Sequence, residues 1–376
     1  MDENFTTNST SVTNRKLITI CFESDHPAIK ASRVLAYVMI LLVSLTGNTL
    51  VIGVLWQDRK MRKPVNYLIA NMAAADLAIT VVYMPRMISS VIRSYDWLVR
   101  GTLGLALCKT VPTLHLVSIK VSILTLVFLS VERFLAVSVV IGNKLTVRRV
   151  KIIFLLVWLT SLAAHVPNMY ALKLTPGQKG ALICRAYLNK FFGSSNGRRI
   201  YDNTLTAIFY AIPLFVIIVL YSMTAIKLRK RKVPGDFAKE DGGKTLRERM
   251  NANVFKTLFS VTLAFFTCWL AYFIMRKGVI GVSISCNVQF IRYFFAHANS
   301  AITPCLYIIF SQKYRRCFKS ILTRLACRVR RRAQSGTTLS LISQSATSLG
   351  SLSVFPQSVS LVSLKLKMED RMTPRE

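Results

Sequence analysis

Seven long apolar runs constrain the fold of this 376-residue chain more than any other feature. Each run reaches or approaches the roughly 20 residues that a helix needs to cross a hydrocarbon core of about 30 Å. The runs lie near residues 34–56, 66–92, 107–131, 150–170, 204–226, 254–275 and 288–310. Because they are continuous and rich in leucine, whereas barrel strands alternate over about ten residues, they predict helices. We therefore expect an all-α membrane protein, built as a bundle of seven transmembrane helices.

The segments outside the runs predict three further parts of the chain. Residues 1–33 form a polar tail before the bundle, which spans residues 34–310. Apolar and basic residues then recur at helical spacing over residues 311–325, which predicts an amphipathic helix on the membrane surface. Residues 326–376 are rich in serine and threonine, a composition that predicts a disordered tail.

Lysine and arginine in the connecting segments predict the orientation of the bundle. They cluster after the first, third, fifth and seventh runs, and the positive-inside rule assigns such segments to the cytoplasm. We therefore expect a multi-pass plasma-membrane protein whose amino terminus is extracellular. Asn4 and Asn8 fit this orientation, because each begins an Asn-X-Thr acceptor for glycosylation in that tail.

The formal net charge of +34 is large enough to suggest a nucleic-acid partner. However, 52% of the residues are hydrophobic and 18% are charged, and the seven runs leave no folded soluble domain to present that charge. Anchoring of the cytoplasmic segments to anionic lipid headgroups accounts for much of the charge. We expect membrane lipids as partners and no nucleic acid. A basic outer segment, residues 173–199, does not follow the positive-inside rule.

The third run places Cys108 and Glu132 at opposite faces of the membrane. They are 24 residues apart in the sequence, which corresponds to about 36 Å of helix. Glu132 and Arg133 precede a basic segment and belong to the cytoplasmic face. Cys108 is then outside with Cys184, where a disulfide between them is chemically reasonable. Cys21 and Cys286 also lie outside by this topology, and whether they form a second bridge stays open.

The chain resembles rhodopsin-like G-protein-coupled receptors from residue 34 to about residue 322. The motifs that carry the resemblance are Gly47-Asn48, NMAAADL with Asp76, Cys108 with ERF, Trp158, Pro213 with Tyr221, FFTCWL and TPCLY. The resemblance implies a receptor that opens a cytoplasmic cavity for a heterotrimeric G protein and performs no enzymatic reaction. A secondary transporter, the alternative from another class, would show repeated halves with broken helices. Such repeats are not visible in the sequence.

The resemblance also implies the residues of an activation switch. At rest Glu132 holds Arg133, and on activation Tyr221 and Tyr307 move inward as the arginine turns toward the G protein. The other matching switch positions are Ile123, Pro213, Phe265, Trp269 and Pro304. Taken without the resemblance, Glu132 and Arg133 also fit an interfacial pair whose arginine extends to the headgroups. Asn251 stands where some members of the family have an acid, and Ala271 stands where the family usually has a proline.

Asp76 stands near the middle of the second run, where an ionised side chain costs several kcal/mol unless it is paired or hydrated. The polar residues at similar depth on other runs are Asn48, Ser122, Asn299 and Ser300. The resemblance implies a sodium ion and water around these positions, and no other cofactor. A purely structural hydrogen-bond network is the alternative. Thr303 replaces the asparagine that the family usually has before the seventh-helix proline.

The stretch CKTVPTLHLVSIKVSILTL, with Met84-Pro85 and Trp97, is similar to neuropeptide receptors of the orexin, neuropeptide FF and tachykinin group. His115 replaces the aspartate of amine receptors, and His297 replaces the retinal-binding lysine of opsins. The expected ligand-binding residues are Arg86, His115, Tyr272, Arg276, Gln289 and Tyr293. Because arginine binds carboxylates with two parallel hydrogen bonds, we expect a peptide with acidic groups. A lipid or small organic acid is the alternative, and the role of Lys120 stays open.

The serine- and threonine-rich tail predicts two further partners. Phosphate groups added there supply dense negative charge for a basic partner. By the resemblance, a receptor kinase adds the phosphates and arrestin binds them. A tail that is only flexible is the alternative.

Overall fold

A computed structural model describes residues 22, 25–94, 96–138, 145–177, 180–230, 246–274, 285–324 and 326–327. Of the predicted functional residues, Asn4, Asn8, Cys21 and Arg276 lie outside these ranges, as does the serine- and threonine-rich tail. The side chains of Asn251 and Ala271 also lie outside the description. Compact packing extends to Ile321, and the few described residues beyond it are helical.

Seven long helices dominate the described residues and are numbered here in chain order. They are α1 Pro27–Gln57, α2 Pro64–Arg93, α3 Gly101–Ser138, α4 Val147–Ala171, α5 Ser195–Arg229, α6 Leu246–Ile274 and α7 Cys286–Phe310. A shorter helix, α8, spans Gln312–Arg324. Each of the seven predicted runs falls in one long helix, so the predicted seven-helix bundle is confirmed.

By length and composition, six helices in the described part of the chain are long and apolar enough to cross a membrane. Helix α7 meets the same requirement only when it is taken together with α8. The two helices meet at an angle of 105°. Helix α7 carries polar residues on its buried face, including His297, Asn299 and Ser300. A helix inside a bundle can carry such residues because they do not face lipid.

Two helices contain one widened π-helical turn, Ile79–Tyr83 in α2 and Ala207–Ala211 in α5. Each turn lies just before a proline, Pro85 or Pro213. A proline ring clashes with the carbonyl four residues earlier, and that carbonyl lies inside the widened turn in both helices. The extra residue relieves the clash and changes the direction of the side chains that follow.

The sequence predicted no strands, but the segment after α4 forms an antiparallel hairpin. Strand β1 spans Leu172–Pro176 and pairs with β2, Leu182–Ala186. The predicted disulfide is present, joining Cys108 of α3 to Cys184 of β2 with a Cα–Cα distance of 5.6 Å. Below, "the hairpin end" means the end of the bundle with this disulfide, and "the Arg133 end" means the opposite end.

Helix α3 is the centre of the bundle. In its most apolar window 67% of the residues are buried, compared with 22% for α4 and for α5, which therefore present most of their surface to lipid. Helices α1 and α7 approach closely because Gly47 has no side chain: a Cβ atom there would lie 2.6 Å from the ring of Pro304. This close approach allows the side chain of Asn48 on α1 to donate a hydrogen bond to the backbone carbonyl of Ser300 on α7.

Candidate functional site

Two histidines from opposite helices meet in the half of the bundle nearer the hairpin end. Nε2 of His115 on α3 lies 3.0 Å from Nε2 of His297 on α7. The hydroxyl of Tyr37 lies 3.3 Å from Nδ1 of His297, and the ring of Tyr83 stacks on His115 at 3.8 Å between centroids. These distances fit a chain of two hydrogen bonds, in which the hydroxyl of Tyr37 donates to Nδ1 of His297 and Nε2 of His297 donates to Nε2 of His115. We call these four residues the histidine cluster.

Aromatic residues of α6 and α7 line this cluster. The ring of Trp269 lies 6.2 Å from that of His115, and Tyr272 lies 5.3 Å from Trp269 and 5.5 Å from Tyr293. Three predicted ligand-binding residues, His115, Tyr272 and Tyr293, are therefore brought together in one continuous set of rings. Gln289 stands one helical turn from Tyr293 on the same face of α7, and it is half-buried.

Arg86 is the predicted ligand-binding arginine that lies within the described residues. Arg86 turns toward the connection between α2 and α3, where its guanidinium lies 4.9 Å from the ring of Trp97 and donates to the carbonyl of Asp96 at 3.4 Å. Arg292, which the sequence reasoning missed, lies 4.9 Å from the ring of Tyr293 and 5.8 Å from that of Tyr272. Arg292 therefore lies against two of the predicted ligand-binding residues.

The role of His297 was also missed, because the sequence reasoning used this residue only to exclude retinal. A signal was present: Gln289, Tyr293 and His297 recur at intervals of four and so share one face of α7. That spacing indicates a common face, but it does not reveal that His115 meets it from α3. Of the described residues, no three histidine, cysteine or acidic side chains form a group that could hold a metal ion.

Asp76 is the centre of a second buried polar group, which we call the Asp76 cluster. One carboxylate oxygen accepts a hydrogen bond from Ser300 at 2.9 Å. The amide of Asn48 donates to the backbone carbonyls of Ser300 at 2.8 Å and Ser44 at 3.0 Å. The predicted association of Asn48, Asp76 and Ser300 is thus present in the structure.

Several buried polar atoms of the predicted sodium-binding residues make no hydrogen bond to any residue that the structure describes. They are Oδ2 of Asp76, Oδ1 of Asn48, Oγ of Ser122, and Oδ1 and Nδ2 of Asn299. An unpaired buried polar atom costs about 1–3 kcal/mol, so this arrangement favours a small polar guest. Carboxylate, amide and hydroxyl oxygens suit a hard cation such as Na⁺. The hydroxyl of Thr303 is used within α7, where it donates to the carbonyl of Asn299 at 2.9 Å.

At the Arg133 end, the charged pair predicted from the sequence is formed. The guanidinium of Arg133 makes an ion pair with Glu132, and the two side chains are 10% and 13% exposed. The hydroxyl of Tyr221 lies 3.2 Å from that of Thr262 on α6. In this arrangement Arg133 is held by its neighbour, as the resemblance implied for the resting state.

Tyr307 packs against a ring of α8. It stacks on Tyr314 at 5.2 Å between centroids, and the hydroxyl of Tyr314 donates to Asn66 of α2 at 3.4 Å. Burial raises the pKa of the Tyr314 hydroxyl well above its ordinary value, so it stays protonated and remains a donor. The contact between α7 and α8 therefore includes α2 as well.

A cavity of about 740 Å³ opens beside Arg133. Its inner wall includes Arg133, Leu258 and Tyr307. The basic residues around it are Lys60, Lys63, Lys313 and Arg316, and the acidic one is Asp58. A positively charged cavity of this size fits a helical or extended segment of a protein partner that carries negative charge.

The remaining switch residues lie between the two ends. Ile123, Phe265 and Trp269 are almost completely buried, and the rings of Phe265 and Trp269 are 6.0 Å apart. Ile123 and both rings belong to the same apolar core, and Pro213 is buried on α5. Pro304 packs against the Gly47 position. Trp269 is therefore packed in the same core as Ile123 and Phe265.

A second disulfide at the hairpin end involves Cys286, for which the sequence left a bridge open. Cys286 is disulfide-bonded, while Cys21, the partner considered for it, lies outside the described residues. Near α7, Arg33 forms an ion pair with Asp25 and donates to the side chain of Asn287 at 2.6 Å. The residues that precede α1 are thus tied to the beginning of α7.

Comparison with known proteins identifies relatives of the whole bundle. Residues 47–307 match the family described as 7 transmembrane receptor (rhodopsin family). A QRFP-like peptide receptor of Branchiostoma floridae is 30% identical over 325 residues, which cover 81% of this chain and 80% of the relative. Neuropeptide FF receptor 1 of Rattus norvegicus is 27% identical over 319 residues, which cover 80% of this chain and 72% of the relative.

Proposed function

Because the chain belongs to the rhodopsin family of seven-transmembrane receptors, we propose that it is a plasma-membrane receptor that binds an extracellular peptide and activates a heterotrimeric G protein. The observation that carries this proposal is the similarity over four-fifths of the chain to two receptors named for peptides. Receptors of this kind are not enzymes, and the proposal includes no covalent step.

The proposed orientation has the amino terminus outside the cell and the Arg133 end in the cytoplasm. The basic rim of the 740 Å³ cavity supports it, because positive residues are retained on the cytoplasmic side. The disulfides at the hairpin end support it too, since disulfides form in oxidising surroundings. On this reading, Asn4 and Asn8 carry glycans outside the cell.

The ligand enters from the hairpin end and reaches the rings around the histidine cluster. Arg86, Arg276 and Arg292 favour a ligand with carboxylate groups. His115, Tyr272, Gln289 and Tyr293 supply neutral hydrogen-bonding groups and aromatic surface. The second candidate, a lipid or small organic acid, is favoured by the same arginines, and the functional assay below distinguishes the two.

Activation follows as a shift between two populations. In the resting population Glu132 holds Arg133 and Tyr314 holds Tyr307. A ligand that binds better when Trp269 has moved favours the population in which Arg133 and Tyr307 turn into the cavity. The differential affinity of the ligand for the two populations sets the size of the response.

Two further partners belong to this proposal. The oxygens of Asp76, Asn48, Ser122 and Asn299 would hold a sodium ion, which supplies positive charge beside the carboxylate and stabilises the resting population. After activation, a receptor kinase phosphorylates the serine- and threonine-rich tail, and arrestin binds it. Lipid headgroups contact the basic residues of α8.

A functional screen tests the proposal. Cells that express the full chain with a promiscuous G protein are exposed to a peptide library, fatty acids, small organic acids and nucleotides, and calcium release is recorded. We expect concentration-dependent responses to peptides, and none in cells that express Arg133→Ala at the same surface level. Responses to fatty acids, small organic acids or nucleotides alone would contradict the peptide proposal.

A further inference from the structure

Arg33 lies where the residues before α1 meet the first turn of α7. Its guanidinium makes an ion pair with Asp25, and Nη2 donates to Oδ1 of Asn287 at 2.6 Å. The Arg33 side chain is 10% exposed, although it stands in the second turn of α1. Because a guanidinium is planar and carries five donors, one arginine can hold an acid from one segment and an amide from another. Arg33 therefore joins three segments of the hairpin end.

Two aromatic rings enclose the same guanidinium. Its central carbon lies 4.9 Å from the ring centroid of Phe22 and 5.0 Å from that of Phe290 on α7. The two rings meet edge to face, with 6.4 Å between their centroids. An aromatic face attracts a cation within about 6 Å. We call Phe22, Asp25, Arg33, Asn287 and Phe290 the Arg33 clamp.

Phe22 has an unfavourable backbone conformation in this clamp. Its φ angle is 72°, and the residue is 1% exposed. A bulky residue in the left-handed region is uncommon, because its Cβ atom approaches the following carbonyl oxygen. Such a conformation persists where the surrounding packing determines it. Phe22 packs with Val34 of α1, Val91 of α2 and Phe290 of α7, so three helices hold it in place.

The Arg33 clamp is continuous with the histidine cluster. The ring of Phe290 lies 5.7 Å from that of Tyr37, which stands one helical turn after Arg33 on α1. Tyr37 also packs against Phe294 at 5.7 Å, and its hydroxyl lies 3.3 Å from Nδ1 of His297. Arg33 and Tyr37 therefore contact one side of α7 over roughly two turns of helix.

Contacts along one side of a helix determine where its other residues point. Gln289 and Tyr293 each precede a clamped phenylalanine ring in the sequence, so they lie about 100° further round α7. In this orientation the ring of Tyr293 lies 5.5 Å from that of Tyr272 on α6. If α7 turned about its axis, Gln289 and Tyr293 would no longer face α6.

We propose that Arg33 is a positioning residue for ligand binding. Through the Arg33 clamp it sets the rotation of α7 at the hairpin end, and so directs Gln289 and Tyr293 into the bundle. The inference rests on the proposed function for its assumption that these two residues bind the peptide. Because Arg33 acts through α7, its loss should weaken the ligand contacts of that helix and spare those of α6.

A reactive thiol tests the rotation without a ligand. Tyr293→Cys is introduced into the full chain, the purified receptor is treated with a water-soluble maleimide, and alkylation at position 293 is followed by peptide mass spectrometry. Adding Arg33→Gln should lower the rate severalfold, because position 293 turns away from the path of the ligand. Asn287→Ala should do the same, since it removes the acceptor on α7 and leaves the pair with Asp25. This exposed position keeps the test available if Arg33→Gln does not fold.

Arg93→Gln is the matched control. Arg93 is an exposed arginine in the last turn of α2 at the same end of the bundle, and it is not part of the Arg33 clamp. The same substitution there should leave the alkylation rate and the peptide potency unchanged.

Peptide potency tests the consequence for the ligand. With an active peptide from the screen, Arg33→Gln is expected to lower potency about tenfold at equal surface level. Combined with Tyr293→Phe on α7, the two losses should not add, because both affect the same contact. Combined with Tyr272→Phe on α6, they should add. A merely structural role for Arg33 would give additive losses with both tyrosines.

The outcomes separate this inference from the proposed function. An unchanged or faster alkylation rate in both Arg33→Gln and Asn287→Ala would overturn the positioning role. Additive losses with both tyrosines would also overturn it, while the peptide proposal stands. If no peptide is active and the rate still falls, the peptide proposal fails and the control of α7 by Arg33 is supported.

Discussion

The histidine cluster joins α1, α2, α3 and α7, and the Asp76 cluster joins α1, α2 and α7, yet they differ in how completely their polar atoms are paired. His115, His297 and Tyr37 form a chain of hydrogen bonds under stacked rings. In the Asp76 cluster, by contrast, Oδ2 of Asp76 and Oδ1 of Asn48 make no hydrogen bond to described residues. The comparison teaches that the first cluster pairs its own polar atoms, whereas the second leaves polar atoms that the proposed sodium ion could pair.

The largest effect is expected from a substitution that disrupts the close contact between α1 and α7, on which the Asp76 cluster depends. Gly47→Ala places a Cβ atom 2.6 Å from the ring of Pro304, so α1 and α7 must separate. We expect a loss of about 1–3 kcal/mol of stability, seen as a lower thermal midpoint of the purified receptor. Gly53→Ala is the matched control, because its Cβ atom would lie 3.8 Å from Ile321. Equal midpoints for the two variants would show that the contact of α1 with α7 is looser than described.

The next effect tests whether the histidine cluster is self-paired. His297→Phe leaves Nε2 of His115 and the hydroxyl of Tyr37 without their partner, which should cost about 1–3 kcal/mol. A second substitution, His115→Phe, should then cost less in His297→Phe than in wild type, because one of the partners is already missing. Thermal midpoints of the four proteins in this cycle measure the coupling. Strict additivity would contradict the hydrogen bond between the two histidines.

A smaller effect tests the guest of the Asp76 cluster. At a sodium concentration about five times the dissociation constant, binding should stabilise the wild type by about 1 kcal/mol relative to N-methyl-glucamine. Asp76→Asn removes the carboxylate and should abolish this difference, whereas His297→Phe should preserve it. If sodium stabilises Asp76→Asn as much as wild type, the ion does not bind at this carboxylate.

The smallest effect concerns Thr303, whose hydroxyl bonds within α7 rather than to the cluster. Thr303→Val should change stability by less than about 1 kcal/mol and leave the sodium effect intact. Thr303→Asn places an amide beside the cluster and should reduce the sodium effect. A large loss of the sodium effect in Thr303→Val would show that this hydroxyl is directed at the ion.

The parts predicted from sequence are those that local pattern and compartment determine. Seven apolar runs predicted seven helices because lipid requires each backbone to satisfy its own hydrogen bonds. Cys108 and Cys184 were paired because the topology placed both outside. Asp76 and Ser300 were associated because both lie at similar depth.

The parts that were missed depend on contacts between distant segments. The hairpin of β1 and β2 depends on pairing between its strands and on the disulfide to α3, and a short polar segment does not reveal these. The direction of Arg86 depends on Trp97, and the partner of His297 depends on how α3 is rotated. Packing between helices determines these side-chain directions and partners. The spacing of residues along one helix does not determine them.

Under the proposed function, the stacking of Tyr307 on Tyr314 would link receptor activation to the surrounding bilayer. If Tyr307 rotates toward Tyr221, one face of the Tyr314 ring loses its packing partner. Helix α8 must then shift its position relative to Asn66, to which Tyr314 donates a hydrogen bond. Because lipid headgroups contact α8 in the proposed orientation, the free energy of this shift depends on how strongly the headgroups bind α8. The ease of switching would then vary with leaflet composition, even when the agonist and its binding site are unchanged.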